Sequence, residues 1–268
     1  MSAICGLLGL GDRPLASNGL NRMLHTLEKH GPDGSGSWKD GSVALGHQMM
    51  HVTPESLDEQ LPCSDPESRI AITFDGRIDN RDDLLASLGL PQNTGTPDSQ
   101  LIILAYKKWG IGCAERLVGE FAFAIWDARE HLLHCVTDPM GIRPLFYTQA
   151  PGRHFAFATE VVALLNLGDE RIPISNRRLA MLGVSAYTRR LEPDMTWFEN
   201  ILRVPAASSL SIGNSGKRMK KYCKPDHRGR QNDKTDEECR EAFQDVFGHA
   251  IKARQRSAVP VASLMTRG

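Results

Sequence analysis

The chain has no Cys-x-x-Cys pair, no long apolar run and no excess of charge of either sign. Its cysteines, Cys5, Cys63, Cys113, Cys135, Cys223 and Cys239, are scattered without the recurrent spacing of a zinc site, so no metal is expected. No stretch approaches the ~18 apolar residues of a membrane span, and the opening MSAICGLLGLGD lacks the basic and apolar regions of a secretory signal. Together these absences predict a cytoplasmic protein with mostly reduced thiols and no membrane partner. The 32 basic residues are balanced by 32 acidic ones, so no global attraction to nucleic acid is expected.

What the chain does have is an ordinary globular texture across 268 residues, enough for one large domain or two small ones. Leu20, Met23, Leu24 and Leu27 recur at helical spacing, and Gly31-Pro32 stops that helix. Thr96 as cap and Pro97 as first helical residue predict a second helix running to Trp109-Gly110. Short turn-bounded segments at 42–45, 69–74, 119–127, 132–138, 145–147 and 155–159 read as strands. In 121–126 large residues alternate with alanines, so both faces are covered. Strands and helices do not alternate regularly, which favours packed sheets with helices outside over an open parallel sheet. Phe121, Phe123, Ile125, Ala156 and Ala158 are expected in or beside the two-sheet core.

The run 213–234, rich in Lys and Arg, reads as a solvated basic linker. Thr235 and Glu238 then form a capping box that opens a helix with Cys239, Phe243, Val246, Phe247, Ala250 and Ile251 on one face. That face is expected to lack partners within the chain. Residues 259–265 read as a buried strand.

Several motifs occur in one order: Cys5-Gly6-Leu7-Leu8-Gly9, His30-Gly31-Pro32-Asp33-Gly34, Asp75-Gly76-Arg77-Ile78-Asp79-Asn80, then GEFAFAIWD and TDPMGIRPL between 119 and 145. The segment 155–160 and Tyr222 continue the series. Over residues 1 to about 223 this set resembles the glutamine-amidotransferase domain of the asparagine synthetase family. The resemblance implies an α+β fold, the N-terminal-nucleophile hydrolase αββα sandwich of two antiparallel sheets. It divides the chain into an amidotransferase-like domain (1–212), the linker (213–234) and the truncated beginning of an ATP-pyrophosphatase domain (235–268). The last residues, Thr266, Arg267 and Gly268, resemble the start of a pyrophosphate loop. ATP and Mg are therefore implied for the C-terminal synthetase domain, which is the expected partner, and no cofactor is implied for this chain.

The same resemblance places Cys5 at the nucleophile position, Met49 at that of the arginine that binds the glutamine carboxylate, and Asp75 at that of the oxyanion-hole asparagine. Gly76 keeps the backbone N–H of that hole, and Asp98 the acidic residue that binds the substrate amino group. Structural roles are open to two of them: Gly76 can serve a turn, and Asp98 can stabilise a helix end. Cys5 is internal, so the peptide bond from Ile4 removes the α-amine that would act as its base. Removal of Met1 would expose Ser2, about 10 Å from Cys5 at ~3.3 Å per residue. Asp75 when ionised offers no donor to an oxyanion, and Met49 no cation. The departures imply a glutaminase-inactive domain that supports a synthetase. The opening S-A-I-C-G and the stretch 46–56 are similar to the lactam-forming branch, the β-lactam synthetases and lasso-peptide cyclases, which implies a precursor peptide and other biosynthetic proteins as partners. The alternative is an active domain that hydrolyses glutamine through Cys5 and supplies ammonia for asparagine synthesis.

Overall fold

The computed structural model describes all residues except 12–14, 16–17, 93–94, 151–153, 169–170, 185–191, 193, 225–234 and 263–268, together with the side chains of residues 150 and 184. Two antiparallel six-stranded sheets form its centre. The first sheet contains β1 (Ala3–Gly9), β2 (Gly34–Asp40), β3 (Val43–Met49), β8 (Phe146–Ala150), β9 (His154–Ala158) and β10 (Ile201–Arg203), in the order β10-β8-β9-β1-β3-β2. The second contains β4 (Cys63–Asp65), β5 (Ile70–Ile78), β6 (Gly119–Asp127), β7 (Leu132–Thr137), β11 (Ser208–Gly213) and β12 (Gly216–Lys221), in the order β12-β11-β7-β6-β5-β4.

Strand alternation sorts the apolar side chains into three layers. Ile4, Leu8, Val43, Leu45, Ala71, Ala122, Ala124 and Trp126 fill the space between the sheets. Outside the second sheet, Phe74, Phe121, Phe123 and Ile125 pack under α2 (Arg81–Leu88) and α3 (Asp98–Trp109) with Leu84, Leu101 and Ile102. Outside the first sheet, Ala3, Cys5, Leu7, Ala156 and Ala158 pack under α1 (Gly19–Leu27) and α4 (Val161–Leu165) with Met23, Leu27 and Leu164. The αββα architecture expected from the sequence is present. Phe121, Phe123 and Ile125 lie beside the two-sheet core, packed against helices, and Ala122 and Ala124 face the other sheet. Small side chains there let the two sheets approach while the large residues fill the deeper gap under the helices.

Three expectations are corrected. The basic run does not begin as a linker at 213, because residues 216–221 pair with β11 as the edge strand β12. Its lysines suit an edge, since charge there opposes pairing with other chains. Pro97 is the cap of α3 rather than its first helical residue. Val259 and Val261 are exposed and outside any strand, whereas 263–268, with the loop remnant Thr266, Arg267 and Gly268, lie outside the described residues.

Of the remaining helices, α5 (Asn176–Val184) lies at the surface, and α6 (Asp236–Arg254) is the last element of the described chain. Its capping box forms as read: the Thr235 side chain accepts from the Glu238 N–H, and Glu238 accepts from the Thr235 N–H. The apolar face of α6 is open, with Phe243, Val246, Phe247 and Ile251 exposed.

Candidate active site

At one end of the inter-sheet space the apolar rows give way to polar residues. Along β3, Val43 and Leu45 point into that space and the next residues on the same face are His47 and Met49. Along β5, Ala71 is followed on its face by Thr73 and Asp75. Along β1, Leu8 and Ile4 share a face that continues back to Ser2. Each strand thus delivers its last inward residue to one cavity of about 260 Å³, lined among others by Ser2, His47, Met49, Asp75, Gly76 and Arg143. Its outer wall is the segment after β3, with Val52, Thr53, Ser56, Glu59 and Leu61.

The cavity holds its ionisable groups away from water. Burial pushes the Asp75 carboxyl up to about 6, against the opposing pull of Arg143 and, more weakly, the N-terminal ammonium and His30. Arg143 lies 3.6 Å from Asp75 and 3.6 Å from Glu120. Its Nε and Nη1 are buried and lack a hydrogen-bond partner among the described residues. Asp138 supports Arg143 from below: Oδ1 accepts from the N–H groups of Met140 and Ile142, and Oδ2 from that of Arg143 itself. His47 is driven down to about 3, first by burial and then by His51, so it is a neutral imidazole 3.3 Å from the Thr73 hydroxyl. Glu59 in the wall is pushed up to about 7 by burial, although its bond from Ser99 opposes the shift.

The expected site residues divide clearly. Met49, Asp75 and Gly76 line the cavity. Cys5 does not. It sits in the layer under α1, fully buried, and burial raises its thiol far above the usual range. The position expected for the nucleophile therefore faces the opposite side of the sheet from the cavity, because Cys5 and Ser2 differ by an odd number of residues along the strand. Ser2 is the residue that sequence reasoning passed over. The period of two was the available signal, since Ile4 and Leu8 already mark the inner face. In the structure the Ser2 hydroxyl accepts from the Met50 N–H at 3.0 Å and lies 3.3 Å from the Met50 carbonyl.

Gly76 serves no turn. It lies inside β5 with φ +148°, and a Cβ there would stand 2.1 Å from the Glu120 carbonyl of β6. Asp98 is buried at the start of α3 and does not line the cavity. Oδ1 pairs with Arg81, while Oδ2 accepts from the Ile78 N–H at 2.8 Å and lies 3.2 Å from Arg256. Both oxygens are engaged, and through them Asp98 joins β5, α2 and α3. Among the described residues no cluster of His, Cys, Asp and Glu could hold a metal, and no helix is long and apolar enough to cross a membrane.

Two sheets layered between helices, with a polar cavity beside the N-terminus of the first strand, define the N-terminal-nucleophile type of amidotransferase fold. The sequence agrees: residues 1–223 match the glutamine amidotransferase domain family, and the chain belongs to it. Among solved structures the fold is similar to the glutamine phosphoribosylpyrophosphate amidotransferase of Bacillus subtilis, with a TM-score of 0.59 and 18% identity, covering 83% of this chain and 50% of that one.

More narrowly, the chain belongs with the asparagine synthetase family. It is 28% identical to the glutamine-hydrolyzing asparagine synthetase 3 of B. subtilis, over 93% of this chain and 40% of that protein. It is also 28% identical to asparagine synthetase 1 of the same organism, covering 99% and 42%, and 27% identical to the amidase chyE of Penicillium rubens, covering 93% and 36%. The chain thus spans well under half the length of these relatives.

Proposed function

We propose that this chain is a glutaminase-inactive amidotransferase domain that supports an ATP-dependent, amide-forming synthetase domain. The observation that carries the reading is that no thiol lines the cavity among the described residues, and the hydroxyl of Ser2 stands there in place of Cys5. Two neighbours act in the same direction. Asp75 brings a carboxylate to the polar end of the cavity, and an ionised carboxylate would oppose rather than stabilise an oxyanion. Met49 offers the substrate carboxylate no hydrogen bond.

A domain with these features contributes surface and positioning to its synthetase partner. The finer reading is a lactam-forming enzyme similar to the lasso-peptide cyclases, with a precursor peptide as substrate and ATP and Mg bound by the synthetase domain. It rests on the opening S-A-I-C-G and the stretch 46–56. That stretch folds as the end of β3 and the cavity wall, which ties the most distinctive segment to the altered site.

A second reading has one observation in its favour. After removal of Met1, Ser2 would carry both a hydroxyl and a free amine at the cavity, the pair of groups that amide hydrolysis by an N-terminal residue requires. Glutamate release from glutamine separates the readings. The inactive domain gives no release above that of the Ser2→Ala protein. Turnover of ~1 s⁻¹, within the ordinary enzymatic range, that is lost in Ser2→Ala and kept in Cys5→Ala would establish the second. Loss in Cys5→Ala alone would restore the ammonia-supplying enzyme that acts through Cys5.

A further inference from the structure

The cavity wall is gripped from behind by the end of α6. Most of that helix stands free of the sandwich, but its last turn does not. Its last carbonyls carry the negative end of the helix dipole and are only partly satisfied by the Gln255 and Arg256 N–H groups, which reach Ile251 at 3.0 Å, Lys252 at 3.3 Å and Ala253 at 3.4 Å. Arg77, itself a cavity-lining residue, donates to the carbonyls of Ala253, Arg254 and Arg256 while its Nε bonds Asp79 at 2.8 Å. Arg254 pairs with Asp79 at 3.2 Å and with Glu120. Two residues after the helix, Arg256 turns inward.

The guanidinium of Arg256 meets three acceptors from three separate elements. Nη1 donates to Glu55 at 2.7 Å, and Nη2 donates to the Ile78 carbonyl at 2.8 Å and lies 3.2 Å from Asp98. The Ala258 N–H adds a bond to the Val52 carbonyl at 2.8 Å. Glu55 belongs to the short 3-10 turn Pro54–Ser56, which carries the wall residues around it. Without Arg256, the carboxylates of Glu55 and Asp98 would share the cation of Arg81, which lies 3.6 Å from Glu55. Two carboxylates and a carbonyl fixed around a planar fork fit a guanidinium better than an ammonium, because the fork can address separate acceptors with separate N–H groups.

We propose that Glu55, the Ile78 carbonyl and Asp98 form a guanidinium-binding site, filled within the chain by Arg256, and that filling it locks the cavity wall to the end of α6. The wall then reports the position of α6: moving the helix withdraws Arg256, leaves an excess negative charge behind Glu55 and frees the turn. The vacated site accepts a small guanidinium cation. Nothing in this requires the cavity to turn over glutamine, so it stands or falls apart from the proposed function.

Hydrogen exchange followed by mass spectrometry on the full chain tests it. In Arg256→Ala, amides of the wall, among them Ser56, Leu57 and Glu59, exchange about tenfold faster or more, as loss of a charge-assisted hydrogen bond predicts, while β6 keeps its protection. Millimolar methylguanidinium restores the wall, and sodium chloride or methylammonium at the same ionic strength does not. Should Arg256→Ala fail to fold, Glu55→Gln is read in its place, with the same gain in wall exchange expected. Unchanged wall protection in the variant that folds overturns the proposal. Equal rescue of Arg256→Ala by simple salt overturns the guanidinium site.

Discussion

Ser2 and Cys5 lie three residues apart at the start of the chain, yet Ser2 lines the inter-sheet cavity and Cys5 is enclosed under α1. The side chain that reaches the cavity from this strand is consequently the Ser2 hydroxyl and not the Cys5 thiol. Thiol titration checks the placement. Cys223 and Cys239 are exposed and should react quickly with a disulfide reagent, and half-buried Cys63, its thiol pushed up to about 11, should react slowly. Cys5, Cys113 and Cys135 are expected to react only after unfolding. Rapid labelling of Cys5 in the native protein would contradict the structure.

Asp75 and Glu59 give the fold a pH dependence of defined sign. Their folded values, about 6 and about 7, exceed the ordinary carboxylate range near 4, so the folded protein binds these protons more tightly than the unfolded chain. The stability they contribute is fully present below about pH 4 and is lost as pH rises through 6 to 7. Asp75→Asn should therefore match the parent near pH 4 and exceed it at pH 8 by on the order of 1–3 kcal/mol. Urea midpoints at the two pH values measure the difference, and a variant less stable at pH 8 would reverse the sign.

Gly76→Ala should weaken the fold severely. The added methyl would press on the Glu120 carbonyl and on the Phe121 Cα, which are backbone atoms of a central strand and cannot swing aside. A loss of about 3 kcal/mol or more is expected from overpacking combined with an unfavourable φ. Equilibrium unfolding gives the value, and a loss below about 1 kcal/mol would show that β5 and β6 part easily.

Phe243 and Phe247 stack on each other with centroids 5.5 Å apart, but both remain exposed on α6. Replacing either by Ser should change the stability of this chain by no more than about 0.5 kcal/mol. Phe123→Ala, in the layer under α2 and α3, should cost about 3–5 kcal/mol. Equal losses at the two places would mean that α6 packs on the sandwich in solution.

The motifs around Gly31, Gly76 and 119–145 carried enough information to name the family and its layered fold, because each records a local demand. The Thr235 to Glu238 capping box, likewise, needs no distant partner to be read. Strand alternation separates Ser2 from Cys5 once the inner face is taken from Ile4 and Leu8. Placing the nucleophile by its neighbouring glycine hides that separation, since a glycine marks close approach and not the side to which its neighbour points.

The sequence by itself determined which segments alternate, which start or stop helices and which residues carry charge, since these follow from spacing and side-chain chemistry. Tertiary structure alone decided which layer each alternating face meets, so that Ala122 faces the other sheet and Phe123 faces helices. It also set Asp98 against Arg81 in the interior, and brought Arg256 against Glu55. Those pairings join positions far apart in the chain, and no local pattern encodes them. They exist because burial leaves each charge seeking its counter-ion wherever the fold places one.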